Sequence, residues 1–143
     1  MQKRRPRATR RSACPLNASV EMLGDKWSLL ILRDMMLRGA RTYKDFLNSS
    51  LEGIATNILA DRLRRLQSNG IIASVADPRD GRRIIYTLTE KGVDLAPVLT
   101  ELVLWAAKHE NTGNQQLVRK IRKDKQAFLD SIQRAIRRAA LGK

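Results

Sequence analysis

Thr56, Asn57, Ala60, Arg64 and Arg65 are the residues of this chain whose types and spacing could do recognition chemistry. An asparagine amide offers the paired donor and acceptor that match an adenine edge. A threonine or alanine methyl can meet a thymine methyl, and an arginine fork fits guanine or a phosphate. They lie in a stretch, 51–72, where Leu59, Leu63 and Leu66 recur at helical spacing. At about 100° per residue Asn57, Asp61, Arg64 and Ser68 then fall on the opposite side. Asn69-Gly70 supplies a left-handed stop before the apolar Ile71-Ile72. The spacing therefore predicts a helix with a dry side and a reading side. Asp61 stands among the cations; a carboxylate facing phosphates is repelled, so it is expected to tether Arg64 or Arg65 one turn on, or to accept from cytosine. Taken alone, such a pattern is more often an ordinary amphipathic helix with a solvated charged face.

Other chemistry has little footing. The one histidine, His109, and the one cysteine, Cys14, stand far apart, and there is no glycine-rich phosphate loop and no clustered acid pair. Neither a metal site nor a catalytic triad nor a nucleotide cradle is expected, and no enzyme activity and no cofactor. Cys14 sits between a basic arm and a helix N-terminus, where positive charge and the helix dipole favour the reactive thiolate. A single cysteine excludes a disulfide framework within the chain and fits a reducing cytoplasm.

The elements that must position the reading helix follow from composition and pattern. The 143 residues, 43% apolar, suit one domain with its own core; aromatics are only 4% and Gly and Pro few, which favours a helix-rich fold over a sandwich or barrel. Cys14-Pro15 opens a first helix, about 16–23, ended by Gly24. Asp25 is the expected N-cap of a second, to about Leu37, burying Trp27, Leu30, Ile31, Met35 and Leu37. Thr42-Tyr43-Lys44-Asp45 has the spacing of a capping box for a short third helix to about Ser49, with Phe46 and Leu47 inward. Short helix, turn at Gly53 and reading helix form a helix-turn-helix, with the third helix's N-terminus as a phosphate clamp. Beyond Ile72 the pattern turns to period two, and two β runs (71–76 and 84–88) flank Asp77-Pro78-Arg79-Asp80-Gly81-Arg82-Arg83, the signature of a hairpin. Arg79, Arg82 and Arg83 crowd its tip, suited to phosphates or a minor groove. Thr89 caps a long helix to about His109, whose apolar surface (Leu95, Val98, Leu99, Leu102, Val103, Ala106, widened by Leu104 and Trp105) needs a partner, and a homodimer is inferred. After a polar break at 111–114, Leu117, Ile121, Phe128, Leu129, Ile132 and Ile136 mark a final basic amphipathic helix, which can pack on the dimer, lie on DNA or do both.

The fold class is thus mainly α (α+β): a winged helix-turn-helix with a two-stranded wing and flanking dimerisation helices. Three parts are expected: a disordered basic arm over 1–12, the winged domain with its dimerisation helix over 13–110, and the C-terminal helix over 111–143. Charge is uneven among them. Of 28 basic and 14 acidic residues, the first 12 positions hold six basic and no acidic ones and 114–143 hold nine against two, so the middle is nearly neutral. A formal net charge of +14 concentrates polyanions, nucleic acid before an anionic membrane. The arm can neutralise phosphates, reach a minor groove, or merely solubilise. A tail-driven, nonspecific nucleic-acid binding or packaging protein therefore stays open beside a sequence-specific regulator. No apolar leader and no long apolar run is found, so no membrane partner is expected and the site of action is expected to be cytoplasmic.

In the order and spacing of Cys14-Pro15, Gly24-Asp25-Lys26-Trp27 with Leu29-Leu30-Ile31-Leu32, the segment from Tyr43 to Leu47, Gly53-Ile54, Leu59, Leu63 and Leu66 before Asn69-Gly70-Ile71, and Tyr86-Thr87-Leu88-Thr89-Glu90-Lys91-Gly92, the chain resembles the HxlR family of bacterial transcription regulators, near the MarR group. Trp105 and His109 are similar to the close of that family's dimer helix, and the wing resembles that of MarR-type regulators. The resemblance covers about 14–109 and leaves the basic C-terminus outside. It implies a homodimer that binds double-stranded DNA, as a repressor, at an inverted repeat with half-sites about one helical turn apart. Asn57, Thr56, Ala60 and Arg64 would then meet bases, with Arg65, Tyr43, Lys44 and the wing arginines on phosphates. Family members sense electrophiles, quinones or hypochlorite through a cysteine in this position. The resemblance allows Cys14 that role, beside the alternative of a buried small residue at the dimer interface. A small electrophile is one implied effector; an apolar effector between the winged domain and the long helix, without redox sensing, is the other, as in the MarR group.

Overall fold

Leu59, Leu63 and Leu66 are fully buried, and the rest of the molecule is arranged to cover them. The computed structural model describes residues 10–142, so the expected arm lies outside the described residues as far as position 9. Three helices form the scaffold: α1 (Pro15–Leu23), α2 (Ser28–Arg38) and α3 (Tyr43–Ser49). The reading helix is α4 (Thr56–Ser68), followed by strands β1 (Ile72–Ala76) and β2 (Ile84–Leu88). The strands pair antiparallel with Ile72 opposite Leu88 and Ala76 opposite Ile84, a two-stranded wing. Ile31, Leu32, Met35, Phe46, Ile54, Ile71 and Ile72 close the core around the three leucines. Phe46 meets the Tyr86 ring edge-on at 6.1 Å, a geometry aromatic pairs favour, so the wing's base is packed on α3. The fold is that of a winged helix-turn-helix, mostly helical with one small sheet.

Several expectations are corrected. The second helix begins two residues later than a cap at Asp25 implies, yet Asp25 caps it by chemistry: its Oδ1 accepts from the N–H groups of Trp27 (2.8 Å) and Ser28 (2.9 Å). Leu37 is exposed rather than buried, one residue before the helix ends at Arg38, while its neighbours Met35 and Met36 take the inward positions of the same turn. Buried instead are Leu32 and Met36.

The long helix expected from Thr89 to His109 is two: α5 (Glu90–Val93) and α6 (Ala96–His109). Pro97 sits in the first turn of α6, where a missing N–H costs nothing but where an uninterrupted helix would need one. The C-terminal helix is likewise two, α7 (Gln115–Lys123) and α8 (Lys125–Gly142), divided at Asp124, whose Oδ1 accepts the Ala127 N–H at 3.0 Å and so starts the second. Both pack on their own chain: Ile121, Phe128 and Ile132 join Met36 and Ala96 in a second buried cluster. That packing also resolves the broad apolar side of α6. Leu95, Leu99, Val103 and Leu104 turn inward, whereas Val98, Leu102 and Trp105 stay exposed.

Candidate nucleic-acid interface

The first turn of α4 is held from two sides. The Tyr43 hydroxyl donates to the Thr56 carbonyl, which ties the start of α4 to α3. Ahead of it, the turn is pinned to α2 by Arg33, which donates to both carboxylate oxygens of Glu52 at 2.8 and 2.9 Å. A bidentate pair of this kind fixes orientation as well as distance. α3 itself starts on a complete capping box, Thr42 accepting from the Asp45 N–H and Asp45 from the Thr42 N–H.

The far end of α4 is equally constrained. Gly70 takes φ +72°, the left-handed conformation that ends a helix and that residues with a side chain enter at a cost. Thr89 Oγ1 donates to the Gly70 carbonyl at 2.6 Å, and Lys91 Nζ donates to the Asn69 carbonyl at 2.7 Å. A cation at these last carbonyls also suits the negative end of the helix dipole.

Between those ends, Thr56, Asn57, Ala60, Arg64 and Arg65 are all exposed, whereas the three leucines are buried. Asp61 accepts from Arg64 at 3.0 Å, the i+3 tether expected of it, and also from Arg62. Arg62 is the residue whose part sequence reasoning missed. It follows Leu59 by three and precedes Leu66 by four, a spacing that already puts it on the dry edge. Its Nε donates to Asp25 Oδ1 at 3.0 Å, locking α4 to the start of α2. Burial alone would push the Asp25 carboxyl up; the hydrogen bonds from Ser28, from the Trp27 and Ser28 N–H groups and from Arg62 together hold it below the ordinary carboxylate value.

Around this helix lie the other expected contacts. Lys44 is exposed on α3, and Tyr43 is half-buried. At the wing tip Arg79, Arg82 and Arg83 are exposed. They are not equivalent: Arg83 Nε donates to the buried Asp77 at 3.0 Å and braces the hairpin, and Arg82 leans on Asp80 at 3.5 Å. Arg79 has only its backbone engaged, its N–H donating to Asp77 Oδ1 at 2.9 Å. The α3 start and the wing share a cleft lined by Thr42, Asp45, Asp77, Arg79 and Arg83, and Tyr43 joins α3 to the start of α4; Arg79 and Arg65 carry guanidinium groups that no carboxylate holds among the described residues. Cys14 belongs to none of these elements. It is exposed at the N-cap of α1, facing the N–H groups of that helix's first turn. The N–H groups of Asn17 and then Leu16 hold its thiol below the ordinary value, against a small opposing effect of burial.

A recognition helix fixed at both ends beside an arginine-tipped wing defines a transcriptional regulator of the helix-turn-helix type. The chain belongs to the HxlR-like helix-turn-helix family, whose model matches residues 22–114. It is 33% identical over 102 residues to the HTH-type transcriptional regulator YodB of Bacillus subtilis, a match covering 71% of this chain and 89% of that one. To the HTH-type regulator sll1512 of Synechocystis sp. it is 38% identical over 86 residues, 60% of this chain and 62% of that protein. Among solved structures, PA1607 superposes with a TM-score of 0.65 at 34% identity over 73% of this chain and 70% of that one. Reduced YodB superposes with 0.57 at 32% identity over 71% and 98%, and YodB has also been solved diamide-treated and quinone-bound. These relatives are regulators, not enzymes, and no helix among the described residues is long and apolar enough to cross a membrane.

Proposed function

We propose that the protein binds double-stranded DNA as a homodimer at an inverted-repeat operator and represses transcription, with α4 in the major groove and the wing beside it. The observation that carries this reading is the exposed row Thr56, Asn57, Ala60 and Arg64 on a helix anchored at both ends, next to the wing arginines. Asn57 and Arg64 read base edges, Thr56 and Ala60 meet thymine methyls or backbone, and Lys44, Tyr43, Arg65, Arg79, Arg82 and Arg83 take phosphates. Val98, Leu102 and Trp105 on α6, with Leu16 and Val20 on α1, supply the exposed apolar surface for the second copy. The division into arm 1–12, winged domain 13–110 and C-terminal part 111–143 belongs to this proposal.

The test is a footprint on the DNA upstream of the protein's own gene. Protection that disappears in an Asn57→Ala, Arg64→Ala double variant supports the reading; equal affinity for that DNA and for random duplex favours the tail-driven, nonspecific binder instead. Deleting 114–143 is the wrong way to separate the two, because α7 and α8 contribute Ile121, Phe128 and Ile132 to a buried cluster and their loss would uncover Met36 and Ala96.

Release from DNA by electrophiles at Cys14 is the favoured regulatory reading. It rests on an exposed thiol, acidified by the open end of α1, in a relative of a regulator solved in reduced, diamide-treated and quinone-bound forms. If Cys14→Ser leaves release by diamide or a quinone unchanged, this reading is wrong. In that event the apolar cavity of about 340 Å³ between α2 and α6, closed by α7 and α8, is where an apolar effector would sit.

A further inference from the structure

The C-terminal third of α8 lies where the expected packing or DNA-lying roles of the last helix cease to be alternatives. Ala135, Ile136 and Ala139 line a groove against Gly39, Ala40 and Arg41 and against Tyr86, Thr87 and Leu88 of β2. α8 therefore runs from the apolar cluster around Phe128 toward the wing and the segment that leads into α3. Arg41 lies where two depressions meet. It lines this groove and also the cleft between the α3 start and the wing, with Thr42, Asp45, Asp77, Arg79 and Arg83. Its Nε is buried with no hydrogen-bond partner among the described residues.

On the side of α8 away from the groove are Arg134, Arg137 and Arg138, all exposed. Helical spacing sets them within about 100° of arc. No carboxylate pairs with any of the three among the described residues; the ion pair α8 does make, Lys125 with Glu101 at 2.5 Å, is at its other end. The matched family region stops at residue 114, so this surface is an addition to the winged domain rather than part of it.

We infer that Arg134, Arg137 and Arg138 form a second, sequence-independent phosphate track on the side of α8 away from the groove, separate from the wing arginines, which adds to the protein's grip on the DNA backbone beyond the half-site that α4 reads. The inference rests on the DNA-binding reading above. Because the track touches only phosphates, it strengthens binding to every sequence alike and adds to the salt dependence.

The experiment is fluorescence anisotropy with the full chain, salt titrated, on a labelled mixed-sequence duplex of about 30 base pairs. Two triple variants are compared: Arg134→Gln with Arg137→Gln and Arg138→Gln, and, as a charge-matched control, Lys120→Gln with Arg122→Gln and Lys123→Gln on α7, which lines none of the groove. All six side chains are exposed, so both variants keep the fold, which circular dichroism checks. Every phosphate no longer neutralised lowers the slope of log K against log salt by about 0.9, so the α8 variant should show a slope smaller by about two to three and an affinity at least about tenfold weaker near 0.1 M salt. In the α7 variant the slope should fall by less than about one. An α8 variant with the wild-type slope, or an α7 variant whose slope falls as far, overturns the track while leaving the DNA-binding reading in place. A wild-type chain that binds no duplex overturns both.

Discussion

Arg62 and Asp25, 37 residues apart in sequence, meet at 3.0 Å, and through them the recognition helix is fastened to the first turn of α2. Both side chains are largely withdrawn from water, 19% and 17% exposed. A charge pair this enclosed is weak evidence of net stability, but removing one partner strands the other.

Arg62→Ala and Asp25→Ala should each destabilise the protein, and a double-mutant cycle in urea should return a coupling of about 0.5–3 kcal/mol, against nearly zero for an exposed pair. The pH dependence has a definite sign. The folded-state pKa of Asp25 lies below its unfolded value, so the unfolded chain binds more protons in that window. The contribution is present above the unfolded value of about 3.9 and is lost as pH falls through the folded one. Acid titration of the wild type and of Asp25→Asn, followed by circular dichroism, should show the wild-type advantage shrinking below about pH 4.

Gly92 tests the far anchor of the same helix. A methyl group there would lie 2.2 Å from the Ile71 carbonyl oxygen and 3.0 Å from Leu88 Cδ2. The nearer atom is backbone and cannot swing aside, so Gly92→Ala should cost about 1–3 kcal/mol, read as a lower urea midpoint with an unchanged m value. A neutral or stabilised variant would mean that α5 does not clamp the end of α4 as described.

Trp105 is 64% exposed and Leu102 44%, an apolar surface with no cover in the single chain. Under the dimer reading, Leu102→Glu with Trp105→Glu should sediment as a monomer at concentrations where the wild type is a dimer, with little change in the monomer's own fold. An unchanged mass would move the interface elsewhere.

Cys14 should titrate early. Its alkylation rate by iodoacetamide, measured against pH, should reach half-maximum below the value of about 8.5 of a free cysteine, because the N–H groups of Asn17 and Leu16 favour the thiolate. Chain unfolding should restore the ordinary midpoint. If folded and unfolded chains titrate together, the helix start exerts no such effect.

Periodicity alone carried much of the molecule. The dry side of α4 was legible because a helix must bury one stripe to be stable, and Leu59, Leu63 and Leu66 can sit nowhere else. The capping box at Thr42 and Asp45 and the hairpin around Asp77–Arg83 were legible because their chemistry is local: each satisfies backbone groups within a few residues. Local too was the error over 89–109, where the apolar pattern outweighed the stop that Pro97 announces. Composition and spacing could not say which arginine does what. Arg62, Arg64 and Arg65 are alike as residue types, yet one is bound inward to Asp25, one is tethered to Asp61 and one is left without a carboxylate partner among the described residues. Nor could they place α8, whose basic amphipathic pattern fits packing on the dimer and lying on DNA alike. Those assignments depend on which groups distant in sequence arrive within a few ångströms, since an ion pair or an apolar contact acts only at short range. Only the tertiary structure, bringing Asp25 to Arg62 and Met36 to Phe128 and Ile132, decides them.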